Sequence, residues 1–169
     1  MFNTYYPFKF ITKIKPNDNS ESFTWCHLFR FKSSKTNQVY LVRFEEYSNE
    51  LVAIKFFLKN HRLSKARYKF VTNTNEMPTI IRTCLNILAT FSKANPYSSF
   101  VFIGERSEKD KEKLSRRYRI YKYVTRNFIS PTTFEHVIKE EYNLYALINK
   151  NHTEKNSILN EIDYYYSNS

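Results

Sequence analysis

From Phe23 to Lys32, apolar and polar positions take turns. Phe23, Trp25, Phe29 and Phe31 share one parity, and Thr24, Arg30 and Lys32 share the other. A period of two sends these sets to opposite faces of a sheet, so the segment predicts a strand. The polar run Ser33-Ser34-Lys35-Thr36-Asn37 predicts a turn. A second strand is expected from Gln38 to about Glu46, with Tyr40, Val42 and Phe44 inward and Arg43 and Glu45 outward. Ser48-Asn49 turns the chain again. A third strand is expected from Glu50 to Lys59, with Val52, Ile54, Phe56 and Leu58 on one face. The basic loop His61-Arg62-Leu63-Ser64-Lys65 leads to an expected fourth strand over Ala66 to Thr72. Loops this short predict an antiparallel meander. Tyr5 to Ile14 reads as a further strand ahead of it.

The period then lengthens. Asn75 is expected to cap a helix, with Glu76 and Pro78 in its first turn. Ile81, Cys84, Leu85, Leu88 and Phe91 recur at helical spacing and make a stripe that packs on a sheet. Asn95-Pro96 stops the helix. The continuous apolar run Phe100-Val101-Phe102-Ile103 predicts a strand covered on both faces, and Gly104 ends it. Ser107 and Asp110 resemble a capping pair for a second helix, expected from Glu108 to Phe128. Phe134 to Lys150 alternates and predicts one or two strands. Ile158, Leu159, Ile162 and Tyr165 predict a short C-terminal helix.

Strands followed by helices indicate an α+β fold. The expected architecture is a mostly antiparallel sheet, with an N-terminal meander of about four strands and then helix, strand, helix, strand. Two main helices pack against it, followed by a short C-terminal helix. No repeat or composition break divides the chain, so residues 1–169 are expected to form one domain.

Gly104 is the only glycine in 169 residues. The Walker loop, the dinucleotide-binding G-x-G-x-x-G and the G-x-S-x-G nucleophile elbow all need several, so the enzyme classes built on them are excluded. No cofactor is implied. Cys26 and Cys84 stand far apart in apolar surroundings and read as buried reduced thiols. No C-x-x-C pair or Cys/His cluster suggests a metal. No apolar run approaches a membrane span, and the start Met1-Phe2-Asn3-Thr4-Tyr5-Tyr6 carries no secretory pattern. A cytoplasmic location is therefore expected, without a membrane partner.

The net charge of +11 favours polyanions such as nucleic acid or an acidic protein. Part of that charge follows the Lys-, Asn-, Ile-, Phe- and Tyr-rich composition expected of AT-rich coding DNA. The second expected helix concentrates it. At 100° per residue, Leu114, Tyr118, Tyr121, Val124 and Phe128 gather on one side, and Arg116, Arg119, Lys122 and Arg126 on the other. The second set forms either a solvated face or a phosphate-binding one. Arg117 falls on the apolar side. It must be paired or open onto a cleft, with Glu105, Glu140 and Glu141 as candidate partners. Glu105 and Arg106, just past a covered strand, stand where sites often form. His27, His61, His136 and His152 show no ligand spacing, and His27 reads as a core group. Tyr40, Tyr47, Tyr68 and Tyr123 are candidate stacking residues beside cations.

Ile80-Ile81-Arg82-Thr83-Cys84-Leu85-Asn86-Ile87-Leu88, then Phe100-Val101-Phe102-Ile103, then Arg117-Tyr118-Arg119-Ile120-Tyr121 occur in order. This half of the chain resembles families of small uncharacterised bacterial proteins, domains of unknown function with a helical R-x-R-[LI]-[YF] core. The resemblance singles out Arg117, Arg119 and Tyr121 and implies no activity. Such families often lie in mobile or defence-associated genes, which associates the chain with toxin–antitoxin or phage-defence roles.

The leading expectation is a non-enzymatic binder of nucleic acid or of an acidic protein, acting through the second helix. One alternative is a small nuclease-like toxin or defence-associated enzyme that sets Arg117 or Arg119 beside a histidine or tyrosine. The other is an interaction module in a homo-oligomer, joined through a sheet edge or aromatic patch.

Overall fold

The computed structural model describes residues 4–17, 21–69, 75–104, 115–152 and 154–167. Among these residues seven strands form one sheet: β1 (Phe8–Ile14), β2 (Trp25–Lys32), β3 (Val39–Glu46), β4 (Leu51–Leu58), β5 (Ser99–Ile103), β6 (Phe134–Lys139) and β7 (Leu144–Asn149). Their order across the sheet is β1-β2-β3-β4-β5-β7-β6. Among the described residues only β4 and β5 run parallel. Helix α1 (Met77–Ala94) joins them, since a parallel pair needs a crossover. Helix α2 (Arg116–Phe128) follows β5, and α3 (Lys155–Ser167) ends the fold. This is a mostly antiparallel α+β architecture.

The meander is β1 to β4, so the strand ahead of Phe23 supplies its fourth member. The expected strand from Ala66 is corrected: Arg67–Lys69 forms a single 3-10 turn, and Phe70–Thr72 lie outside the described residues. Alternation over so few residues fits either state. Phe23 leaves the face of Phe29 and lies instead against Arg43, whose guanidinium is 5.3 Å from its ring centroid.

Helix α1 starts one residue later than its asparagine suggests. Glu76 is the N-cap residue, while Asn75 takes a left-handed turn at φ 54°. The Glu76 carboxylate is buried under three hydroxyls: Ser33 donates at 2.7 Å, Tyr40 at 2.8 Å and Tyr6 at 3.2 Å. The helix dipole favours a negative charge at that end. Tyr40 is thus buried rather than an exposed stacking residue. Cys26 and Cys84 are free and buried.

The α1 stripe and the inner face of α2 (Tyr118, Tyr121, Val124) cover Phe29, Phe44, Ile54, Phe100 and Phe102 in the larger core. Ile158 and Ile162 of α3 cover Leu51, Val101, Leu144 and Ala146 on the opposite face. Strand β5 is therefore enclosed from both sides, which explains its unbroken apolar run.

Candidate nucleic-acid interface

Gly104 ends β5 where the backbone meets α2. A Cβ there would lie 2.5 Å from the Tyr118 nitrogen and 2.6 Å from the Ser115 hydroxyl. Ser115 is the N-cap of α2: its Oγ accepts from the Tyr118 N–H at 3.0 Å and donates to the Gly104 carbonyl at 2.6 Å. Asn143, left-handed at φ 51° in the β6–β7 turn, closes the knot. Its side-chain oxygen accepts from the Ser115 N–H at 2.7 Å, and its carbonyl accepts from the Gly104 N–H at 2.9 Å. Glu105, Ser107 and Asp110 lie outside the described residues, as does the expected helical stretch from Glu108 to Leu114.

This anchorage fixes how α2 is rotated. Arg117, Tyr118, Tyr121, Val124 and Thr125 face inward. Arg116, Arg119, Tyr123 and Arg126 are exposed, and Tyr123 keeps 55 % of its surface in solvent. Residues 119, 123 and 126 are spaced by four and three, so they share one ridge. From Arg116 to Arg126 that ridge rises about 15 Å. Lys122 stands to one side, half-buried, with its ammonium 3.5 Å from the Glu140 carboxylate. Glu140, a candidate partner of Arg117, thus reaches Lys122. Arg82 of α1 lies 3.9 Å over the Phe128 ring and braces the end of α2.

Arg117 is 5 % exposed. Its guanidinium lies 4.9 Å from the Phe56 ring centroid and donates to the Tyr68 carbonyl. It also lines a cleft of about 700 Å³ beyond the end of β5, together with Tyr121, Tyr68, Glu141, Tyr142 and Tyr165. Arg117 is thus engaged by a backbone carbonyl and an aromatic ring, and it borders a cleft. The floor is a charged network. The Glu45 carboxylate, 3 % exposed, is ion-paired with Arg43 Nε at 3.0 Å and Lys55 Nζ at 2.8 Å and accepts from the Tyr47 hydroxyl at 3.1 Å. Burial and Glu45 together push the Tyr47 phenol above its ordinary range. The expected outward position of Arg43 and Glu45 is corrected, because this face of the sheet is itself covered. Alternation showed two faces but not that the second is enclosed.

A smaller groove at the far end of α2 collects Arg126, Phe134, His136 and Lys150. His136 Nδ1 contacts the Tyr145 hydroxyl, and its Nε2 has no solvent access. Burial holds this histidine below its usual pKa, with Arg126 and Lys150 acting in the same direction. His27 packs edge-on to Phe91, and its Nε2 lies 3.2 Å from Glu46, as a core group should. His152 Nδ1 accepts from the Glu154 N–H at 3.0 Å. Among the described residues no cluster of His, Cys, Asp and Glu could hold a metal, and no helix is long and apolar enough to cross a membrane.

Sequence reasoning missed Tyr142, Tyr165 and Tyr166 as cleft residues. Their only signal was tyrosine richness near the C-terminus, which does not say where the last helix docks. No family model matches the chain, and neither the curated proteins nor the solved structures provide a match.

Proposed function

We propose that this protein binds single-stranded nucleic acid along the outer ridge of α2, without catalysing a reaction on it. One observation carries the reading: Arg116, Arg119 and Arg126 are exposed on one rigid helix with the exposed ring of Tyr123 among them. Cations at fixed spacing attract phosphates and release counterions from the strand. An aromatic ring beside them offers a base a stacking surface whatever its sequence. A purely acidic protein partner would use the arginines and leave the ring idle. The charge of +11 adds long-range attraction.

The hydrolytic alternative has less behind it. A histidine acting as general base must present a ring nitrogen to the substrate. In His27, His136 and His152, ring nitrogens face a carboxylate, a tyrosine hydroxyl and a backbone N–H. Self-association through the β1 edge has a specific motive in Phe10 and Ile11, 56 % and 45 % exposed. Lys9 and Lys13 stand on the same strand beside them, however, and charge on an edge strand opposes edge-to-edge pairing.

Fluorescence anisotropy with a labelled single-stranded oligonucleotide tests the proposal. Binding at low salt should weaken steeply at moderate salt, and Tyr123→Ala should weaken it by about 5-fold or more. Absence of binding to single-stranded DNA and RNA at low salt would refute it.

A further inference from the structure

We propose that the tyrosine-walled cleft at the N-terminal end of α2 receives one unstacked base of the bound strand. This rests on the reading of the α2 ridge as the strand's phosphate track. Arg116, exposed on the ridge, is followed by Arg117, which turns 100° away to line the cleft. The track and the cleft thus begin on adjacent residues of one helix.

The volume of about 700 Å³ is ample for a base and its sugar. The walls suit a flat, partly polar ring. Tyr68, Tyr142 and Tyr165 are half-buried, so each presents a face or an edge to the cleft. Tyr165 is held by the Tyr47 ring, 5.2 Å between centroids, and Tyr68 by Phe57 at 5.5 Å. Arginine sits close to aromatic rings here. Arg117 covers Phe56, and Arg67 sits 4.9 Å from the Phe57 ring and 5.0 Å from the Tyr68 ring. Such layers of cation and ring extend naturally to a base, which has a π-face of its own. The floor carries carboxylates already matched by cations, which argues against a phosphate as occupant. Glu45 is already ion-paired with Arg43 and Lys55 and accepts from Tyr47, and Glu141 borders the rim. The base belongs in the cleft, and its phosphates belong outside on the ridge.

The test compares a base-bearing oligonucleotide with one of equal length whose sugars are abasic. Wild-type protein should bind the base-bearing strand about 5- to 100-fold more tightly, the range expected of base stacking. Tyr165→Leu and Tyr142→Leu should each reduce that preference while leaving abasic binding unchanged. A bromouracil-substituted strand should photo-crosslink to Tyr68, Tyr142 or Tyr165, which requires no variant to fold. Three results would overturn the cleft. Equal binding of both strands would leave only a phosphate track. A preference lost in Tyr123→Ala but kept in both cleft variants would place stacking on the ridge alone. Crosslinks confined to Tyr123 would say the same. If neither strand binds, the ridge reading fails and this inference fails with it.

Discussion

At the scale of single residues, two positions tie separate parts of the molecule together. Glu76 satisfies three buried hydroxyls at once. Glu76→Ala would remove the acceptor that all three share, and an unsatisfied buried group costs about 1–3 kcal/mol. A loss of about 3 kcal/mol in urea denaturation is expected, since water would recover part of the penalty. Gly104 is needed for space rather than for dihedral freedom, because its missing Cβ is where the α2 backbone sits. Overpacking costs about 1–3 kcal/mol. Gly104→Ala should therefore lower stability by a similar amount in the same assay, whereas a neutral substitution would mean that β5 and α2 separate easily. A single glycine also forces other residues into left-handed turns. Asn37, Asn49, Asn75 and Asn143 take positive φ, as asparagine does more readily than most residues.

At the scale of elements, the rotation of α2 about its axis decides what faces solvent. Ser115 sets that rotation by capping the helix and gripping the end of β5. Loss of such a cap typically costs about 1 kcal/mol. Ser115→Ala should cost roughly twice that by thermal denaturation, because the Gly104 carbonyl also loses its donor. It should weaken strand binding too, because the ridge would lose its register with the cleft. Most of the sheet was legible, and for a simple reason. Strands β2 and β3 set Phe29, Phe31, Tyr40, Val42 and Phe44 on one buried face, so their alternation shows, and β4 and β5 bury both faces, so their apolar runs are nearly unbroken. The inner and outer faces of α2 were legible from their 100° spacing. Two kinds of feature were not. The turn at Arg67–Lys69 alternates by accident over too short a stretch to distinguish from a strand. The cleft depends on where α3 lies, and that is set by the packing of Ile158 and Ile162 on a distant face. Arg117 was the exception, because a cation on an apolar stripe advertises its own need for a partner or an opening.

Across the whole molecule, buried groups tie stability to alkaline pH. Burial raises Cys26 to about 11, Cys84 to about 12 and the Tyr118 phenol to about 12. Each is held neutral in the folded state after the unfolded chain would ionise it, so the unfolded state binds fewer protons there. Their contribution is fully present below the ordinary pKa values of 9.0 and 10.0 and is lost as pH rises toward the folded ones. Urea midpoints should fall steadily above about pH 9. Both thiols should resist a thiol reagent at pH 8 until the protein is unfolded, because the thiolate is the reactive form. Rapid labelling of the native protein would contradict this. The surface is organised differently, by charge on one element. The most direct test of that arrangement is the slope of log K against log salt for a single-stranded oligonucleotide. It should be measured for the wild type and for a variant with Arg116, Arg119 and Arg126 changed to Gln. Each phosphate contact contributes about 0.7 to the slope, so the variant should lose about 2 with its melting temperature little changed. An unchanged slope in a folded variant would contradict the account.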